Sequence, residues 1–313
     1  MHRQDIQTGG QGMQQFQKRW HNSKYLMLLF LPALIYYLLF KYVPMFGILI
    51  SFKDYNTFKG VWASEWVGLK YYSLFFHSPD FLKLLKNTVL LGISKVVFGF
   101  PAPIILALLL NEVRRATLKR LVQSISYLPH FISNVVVVSM MFLFLSPTSG
   151  LVNNVIQWFG YDAMNFMQNE DYFRAIYILS EIWQHVGWET IIYLAALSAI
   201  DPQLYEAARV DGANRRHQLL HITIPGIRPA IIILFILNIG HVLDIGFEKV
   251  LLMLNPSIYA TADVLSTYVY RTGIQSMNYS YATAIDLFSS IINLIFILTA
   301  NWISRRTSET SLW

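Results

Sequence analysis

Two stretches of this chain place carboxylates, amides and imidazoles at helical spacing inside otherwise apolar runs. The first holds Glu181, Gln184, His185, Trp188 and Glu189, and the second holds Asn238, His241, Asp244 and Glu248. Steps of three and four put Glu181, His185 and Glu189 on one stripe of a helix, with Gln184 and Trp188 beside it. The same spacing puts His241, Asp244 and Glu248 on a second stripe, and a later run adds Asp286 and Asn293. Such groups can ligate a metal, relay protons, line a path for a polar solute or bond one helix to another. The step from His185 to Glu181 or Glu189 is that of zinc helices, but H-E-x-x-H is absent. No metal site is expected. His, Asp and Glu in membrane helices can relay protons, as in an ion- or proton-coupled secondary carrier. Interhelical hydrogen bonding is the structural alternative, worth about 1 kcal/mol per bond.

These residues must be held by membrane helices. The chain has 313 residues, of which 55% are hydrophobic and 13% charged. That charged share is about half of the roughly 25% usual in soluble domains. Six apolar stretches are long enough to span a bilayer, near 25–50, 88–110, 124–146, 175–199, 229–254 and 282–303. Counting about 1.5 Å per residue from the span ends, His185 and His241 both fall near mid-depth. A charge at that depth costs at least a few kcal/mol, so several of them need a reason. The expected fold is an all-α integral membrane bundle of six spans.

The net charge of +6 does not point to nucleic acid, because the basic residues cluster beside apolar segments as topology determinants do. With the N-terminus inside, the inner segments hold twice as many Lys and Arg as the outer ones. Both termini are therefore expected in the cytoplasm. The expected organisation is a tail over 1–24, a first span over 25–50 and an extracellular loop over 51–87. A core over 88–303 and a cytoplasmic end over 304–313 complete it. The run from Tyr25 is too long and bulky for a signal peptide and reads as a retained span. Cysteine is absent, so thiol chemistry and Cys-ligated metals are excluded. No G-x-x-x-x-G-K-[ST] loop occurs, so ATP hydrolysis by that route falls to another chain.

Between the fourth and fifth spans lies a polar, basic loop over 201–228. Asp201 suits an N-cap and Pro202 the first helical position. The spacing predicts a short helix to Asp211, ended by Gly212, and a second from Asn214 to Ile222, closed by Pro225. Ala207 and Ala208 leave a low face that a partner groove can approach.

Glu206-Ala207-Ala208, three residues, Gly212, nine residues and then Ile222-Thr223-Ile224-Pro225 closely resembles the EAA loop of ABC importer permeases. Ile224 stands where that pattern has Leu. Further stretches are familiar, among them Trp183–Trp188, Ile191–Leu197, Ile245–Glu248 and Thr267–Arg271, with Tyr279–Ala284 and a terminal Leu312-Trp313. Together they resemble the polysaccharide branch of the maltose-type sugar permeases, which includes rhamnogalacturonan and alginate importers. The resemblance runs from about residue 20 to the end. It implies a type I importer fold and import of oligosaccharides by alternating access in a bacterial cytoplasmic membrane. It implies a second, different permease, two ATPase subunits, an extracellular binding protein and surrounding lipid as partners. No cofactor is expected on this chain, and ATP and Mg belong to the ATPase. Glu206, Ala207, Ala208, Asp211, Gly212 and Pro225 would couple to that ATPase.

Sugars are bound by planar polar groups and by aromatic faces. Glu181, Gln184, His185, Trp188, Glu189, Asn238, His241, Asp244 and Asn293 are the candidate pathway residues. Lys95, Lys249, His185 and His241 would suit an acidic sugar, and Glu181, Asp244 and Glu189 would oppose it. A permease for a non-sugar solute is the nearest alternative.

Overall fold

Long apolar runs cross lipid as helices because a helix satisfies its backbone hydrogen bonds internally. The computed structural model describes residues 24–307, and within them helices dominate. The expected tail over 1–24, save its last residue, and the last residues of the 304–313 end fall outside the described residues. Four described helices are long and apolar enough to cross a membrane: Lys24–Phe52, Phe81–Glu112, Arg215–Gly240 and Tyr279–Arg306. A fifth crossing arises if Ala116–Phe131 and Asn134–Phe144, bent by 102°, count as one span. Glu170–Ser198 is a single helix of 29 residues, about 43 Å long at ~1.5 Å per residue. Its length suits a crossing, while its charges make it less apolar than the others.

The described residues fall into two compact units, divided between Leu69 and Lys70. In the first, the Lys24–Phe52 helix leads into an antiparallel ribbon that pairs Lys53 with Trp66 and Asp54 with Glu65. The rings of Phe52 and Trp66 stack at 5.8 Å. Lys53 Nζ donates to the carbonyls of Val61 at 2.9 Å and Trp62 at 3.1 Å. The aromatic-rich loop expected over 51–87 is thus divided between this ribbon and a Lys70–Phe76 helix in the second unit.

Pro44, Pro101 and Pro225, three of the prolines inside the long helices, share one local feature. A proline has no N–H, and its ring meets the carbonyl four residues back. A wider π turn precedes each: Leu38–Tyr42 before Pro44, Lys95–Gly99 before Pro101 and Leu219–Thr223 before Pro225. The extra residue in the turn lets the helix pass the proline unbroken. Pro225 therefore does not close a helix, contrary to expectation; the helix continues to Gly240.

Two expected spans are broken. The run 124–146 turns sharply at Ile132 and Ser133, where the Ser133 side chain caps the second half through Val136 N–H. The run 229–254 ends as a helix at Gly240, and a short Phe247–Met253 helix follows an irregular segment. Backbone freed inside a bundle must find partners there, and each break has them. Gln184 Nε2 donates to the Ile132 carbonyl at 2.9 Å. The Leu243 N–H donates to Asn293 Oδ1 at 3.1 Å, and the Gly246 N–H to Tyr177 Oη at 3.1 Å.

The 170–198 helix organises the second unit. Near its start, Phe173, Tyr177 and Ile178 pack with Leu91, Val250 and Met253. Near its end, Tyr193 and Leu197 pack with Ala107 and Ile227. Between them, Gly187 lies against the 116–131 helix so closely that an added Cβ would meet the Ser126 carbonyl. Further along the chain, Asp263 accepts from Arg271 at 2.7 and 3.3 Å. That hydrogen bond raises the already high pKa of the guanidinium.

Candidate functional site

The polar residues of the 170–198 helix fall between its two apolar clusters, so packing at both ends fixes their position. Glu181 is their centre. Its carboxylate lies 2.5 Å from Lys249 Nζ, 3.6 Å from Lys95 Nζ and 3.9 Å from His185 Nε2. Lys249 comes from the short 247–253 helix and is buried, while Lys95 lies on the π turn of the 81–112 helix. Three cationic or ionisable partners thus surround one carboxylate, an arrangement that lets it stay charged at this depth.

His130 extends the cluster. Its Nδ1 is 3.0 Å from Nδ1 of His185, so one ring must donate and the other accept. The His130 ring also stacks on Trp188, with centroids 4.7 Å apart and planes within 1°. His130 ends the first half of the broken 116–144 pair, and the bend brings it to this helix. The sequence reading missed it. Its one sequence signal is Pro129 beside it, which marks a turn.

Two clefts open beside the cluster. One of about 230 Å³ is lined by Lys95, Glu181, His185, Glu189 and Asn238. The other, of about 460 Å³, is lined by Trp188, Glu189, Tyr193 and Asn238. Trp188 remains 44% exposed. The first stretch therefore does share one helix. Glu181, His185 and Glu189 line a common cleft, while Gln184 faces the packed side and holds the break at Ile132. Such carboxylate, imidazole and amide groups can make paired hydrogen bonds, and the indole offers a flat apolar face.

The second expected stripe does not form, because 241–246 is not helical. His241 Nδ1 instead lies 2.8 Å from Asp244 Oδ2, and Asn293 Nδ2 donates to Asp244 Oδ1 at 3.0 Å. Glu248 turns away and accepts from Asn134 at 2.7 Å. Asn238 stays on the helix side of the break and bonds its own Leu234 carbonyl. Asn238 reaches the clefts of the first stretch, whereas His241, Asp244 and Asn293 form a separate group at the break.

In the 201–228 loop, Asp201 caps a helix over Pro202–Val210 by accepting from the Gln203 N–H. Gly212 has φ +80°, a conformation in which a side chain is strained. Asn214 caps the following helix through the His217 N–H. Glu206, Ala207 and Asp211 are exposed, Ala208 is half-buried and Pro225 is exposed on the continuing helix. Val210 is 88% exposed. The loop is held at its base by Tyr205 Oη and Thr223 Oγ1 at 3.0 Å and by Arg215 and Glu112 at 3.7 Å.

Known proteins are similar to this chain over most of its length. The model of the family described as "Binding-protein-dependent transport system inner membrane component" matches residues 99–309. The polygalacturonan/rhamnogalacturonan transport system permease protein YteP of Bacillus subtilis (strain 168) is 49% identical, covering 93% of this chain and 91% of that protein. Protein LplB of the same organism is 45% identical, over 98% of this chain and 96% of its own. Among solved structures, a chain of a bacterial alginate ABC transporter in complex with an alginate pentasaccharide-bound periplasmic protein superposes with a TM-score of 0.87. It is 42% identical and is 99% covered, as is 94% of this chain.

Proposed function

The chain belongs to the family of binding-protein-dependent transport system inner membrane components, and from that premise we propose that it imports pectin- or alginate-like acidic oligosaccharides. It is a multi-pass, non-catalytic permease subunit of an ABC transporter in the inner membrane. Support for the substrate class comes from the near full-length similarity to the polygalacturonan/rhamnogalacturonan permease and to the alginate transporter chain. In this reading the chain crosses the membrane six times with both termini in the cytoplasm. It pairs with a second, different permease. Two ATPase subunits bind ATP and Mg beneath the 201–228 loop, and an extracellular binding protein delivers sugar from above.

The observation that carries this reading is the cleft of Lys95, Glu181, His185, Glu189 and Asn238 beside the exposed face of Trp188. Glycans need paired acceptors and donors together with an apolar face. Among the cations weighed for an acidic sugar, Lys249 is buried against Glu181 and His241 is paired with Asp244, while His185 and Lys95 border Glu181 at longer range, 3.9 and 3.6 Å, in the cleft. Lys95 lines the cleft with its side chain 39% exposed. It is the group that meets a uronate carboxylate.

The Pro202–Val210 helix is the coupling helix. Its exposed Glu206, Ala207 and Val210 seat in a groove of the ATPase, and Gly212 lets the chain turn away. ATP-driven closure of the ATPase pair moves this helix and rocks the two permeases. The contacts must differ between the two states for ATP to shift their balance. Two broken spans beside the site suit such a movement, since irregular backbone at membrane depth is where transporters build their cavities.

The test is uptake by the assembled complex in proteoliposomes. Trigalacturonate presented with its binding protein should stimulate ATP hydrolysis and accumulate inside. A chain that purifies without an ATPase, or that transports with no ATP, would be a secondary carrier and would overturn the reading.

A further inference from the structure

A third cleft, of about 420 Å³, opens between the 247–253 helix, the Leu265–Tyr270 helix and the start of the 279–306 helix. Its volume lies within the range of about 300–1,000 Å³ usual for small-ligand pockets. Phe247 and Tyr270 meet there with ring centroids 5.2 Å apart, and Tyr279 and Asp286 line the same space. The buried hydroxyl of Ser266, also in the lining, has no hydrogen-bond partner. A buried hydroxyl left unpaired carries a penalty of about 1–3 kcal/mol, which a ligand group can remove.

We propose that this cleft is a separate binding subsite for an uncharged sugar unit of the transported glycan. The inference rests on the reading of the chain as an oligosaccharide permease. Aromatic rings cover the apolar face of a pyranose, and a carboxylate such as Asp286 accepts from two neighbouring hydroxyls. None of the described residues that line the cleft is cationic, and Asp286 is the one carboxylate among them. A uronate is therefore repelled here, whereas Lys95 attracts it in the other cleft. The 247–253 helix serves both places: Lys249 turns in to Glu181, and Phe247 lines this cleft. The two clefts together select a glycan with both acidic and uncharged units.

Site-directed cysteines test this in the assembled transporter, because the native chain has none. Ile274→Cys reports on this cleft, where Ile274 is 59% exposed, and Asn238→Cys reports on the other. Modification by a small thiol reagent is followed on this chain by mass, with galactotriose or trigalacturonate as probe. Galactotriose should protect Ile274→Cys and trigalacturonate should not, while trigalacturonate protects Asn238→Cys. Adding Tyr270→Ala to Ile274→Cys should raise the half-protecting galactotriose concentration about tenfold, the scale of one lost stacking contact. Protection at Asn238→Cys alone overturns the subsite and leaves the permease reading intact. Protection at neither position by either sugar overturns both. Equal protection of Ile274→Cys by the two sugars overturns the charge selection. An Ile274→Cys that reacts in the isolated chain but not in the sugar-free complex shows a cleft covered by the partner permease, and overturns the proposal.

Discussion

Lys249 and Glu181 lie 68 residues apart in the chain, and their charged groups meet at 2.5 Å with Lys249 only 1% exposed. The pair ties the short helix after the second break to the long central helix. Its two members are not equivalent. Glu181 keeps Lys95 and His185 as neighbours if Lys249 is lost. Lys249 has Glu181 as its bonded carboxylate. Glu181→Gln should therefore destabilise the purified chain by about 3–5 kcal/mol, the cost of stranding a buried charge, and Lys249→Met by less. The double variant should recover much of the loss. Thermal unfolding in detergent measures all three, and equal losses in the two single variants would contradict the asymmetry.

The break at 241–246 should depend on residues distant in sequence. Asn293→Ala leaves the Leu243 N–H without its acceptor, and Tyr177→Phe does the same to Gly246. Each should cost about 1–3 kcal/mol, the penalty for an unpaired buried donor. Lower yield and a lower melting temperature are expected in both. Unchanged stability in both variants would mean that water reaches this backbone.

These breaks also explain what the sequence reading could and could not see. The helix cap at Asp201 and the turn at Gly212 were legible, because each depends on local side-chain or backbone preference. So was the stripe Glu181, His185 and Glu189, which needs only helical spacing. The breaks at Ile132 and His241 were not, since an apolar run reads alike whether or not it bends. Their partners, Gln184, Asn293 and Tyr177, come from other helices. Pro225 misled for a related reason: the π turn that carries the helix past it leaves no mark in composition.

Coupling should be lost without loss of the fold when the 201–228 loop is altered. Gly212 sits at φ +80°, so Gly212→Val forces a strained backbone at a cost of about 1–3 kcal/mol. Nothing lies within 4 Å of an added Cβ there, so the strain is local. Glu206→Lys reverses an exposed charge. Both variants should reach the membrane and lose sugar-stimulated ATP hydrolysis. Normal stimulation in both would remove the coupling role from this loop.

Topology can be read with single cysteines in whole cells. Asn111 and His217 are exposed beside the loop helices, and Asn169 is exposed at the start of the 170–198 helix. Asn111→Cys and His217→Cys should be shielded from an impermeant thiol reagent, and Asn169→Cys should react. The reverse pattern would invert the orientation and put the coupling loop outside the cell.

The last prediction separates a residue that meets sugar from one that joins helices, though both lie on the same helix four residues apart. Trp188 shows one face to His130 and is 44% exposed, with its open side lining the larger cleft. Gln184 is buried and spends its amide on the Ile132 carbonyl. Trp188→Ala should raise the sugar concentration for half-maximal uptake about tenfold, the scale of a lost stacking contact. Complex yield and basal ATP hydrolysis should stay near normal. Gln184→Leu should act in the opposite order, since the Ile132 carbonyl loses its donor at the bend. Yield and stability should fall first, by about 1–3 kcal/mol, with half-saturation little changed in the complex that survives. Uptake kinetics and complex yield, measured together for both variants, decide the matter. A Trp188→Ala complex that assembles normally and transports at the native rate at every sugar concentration would remove the indole from the pathway.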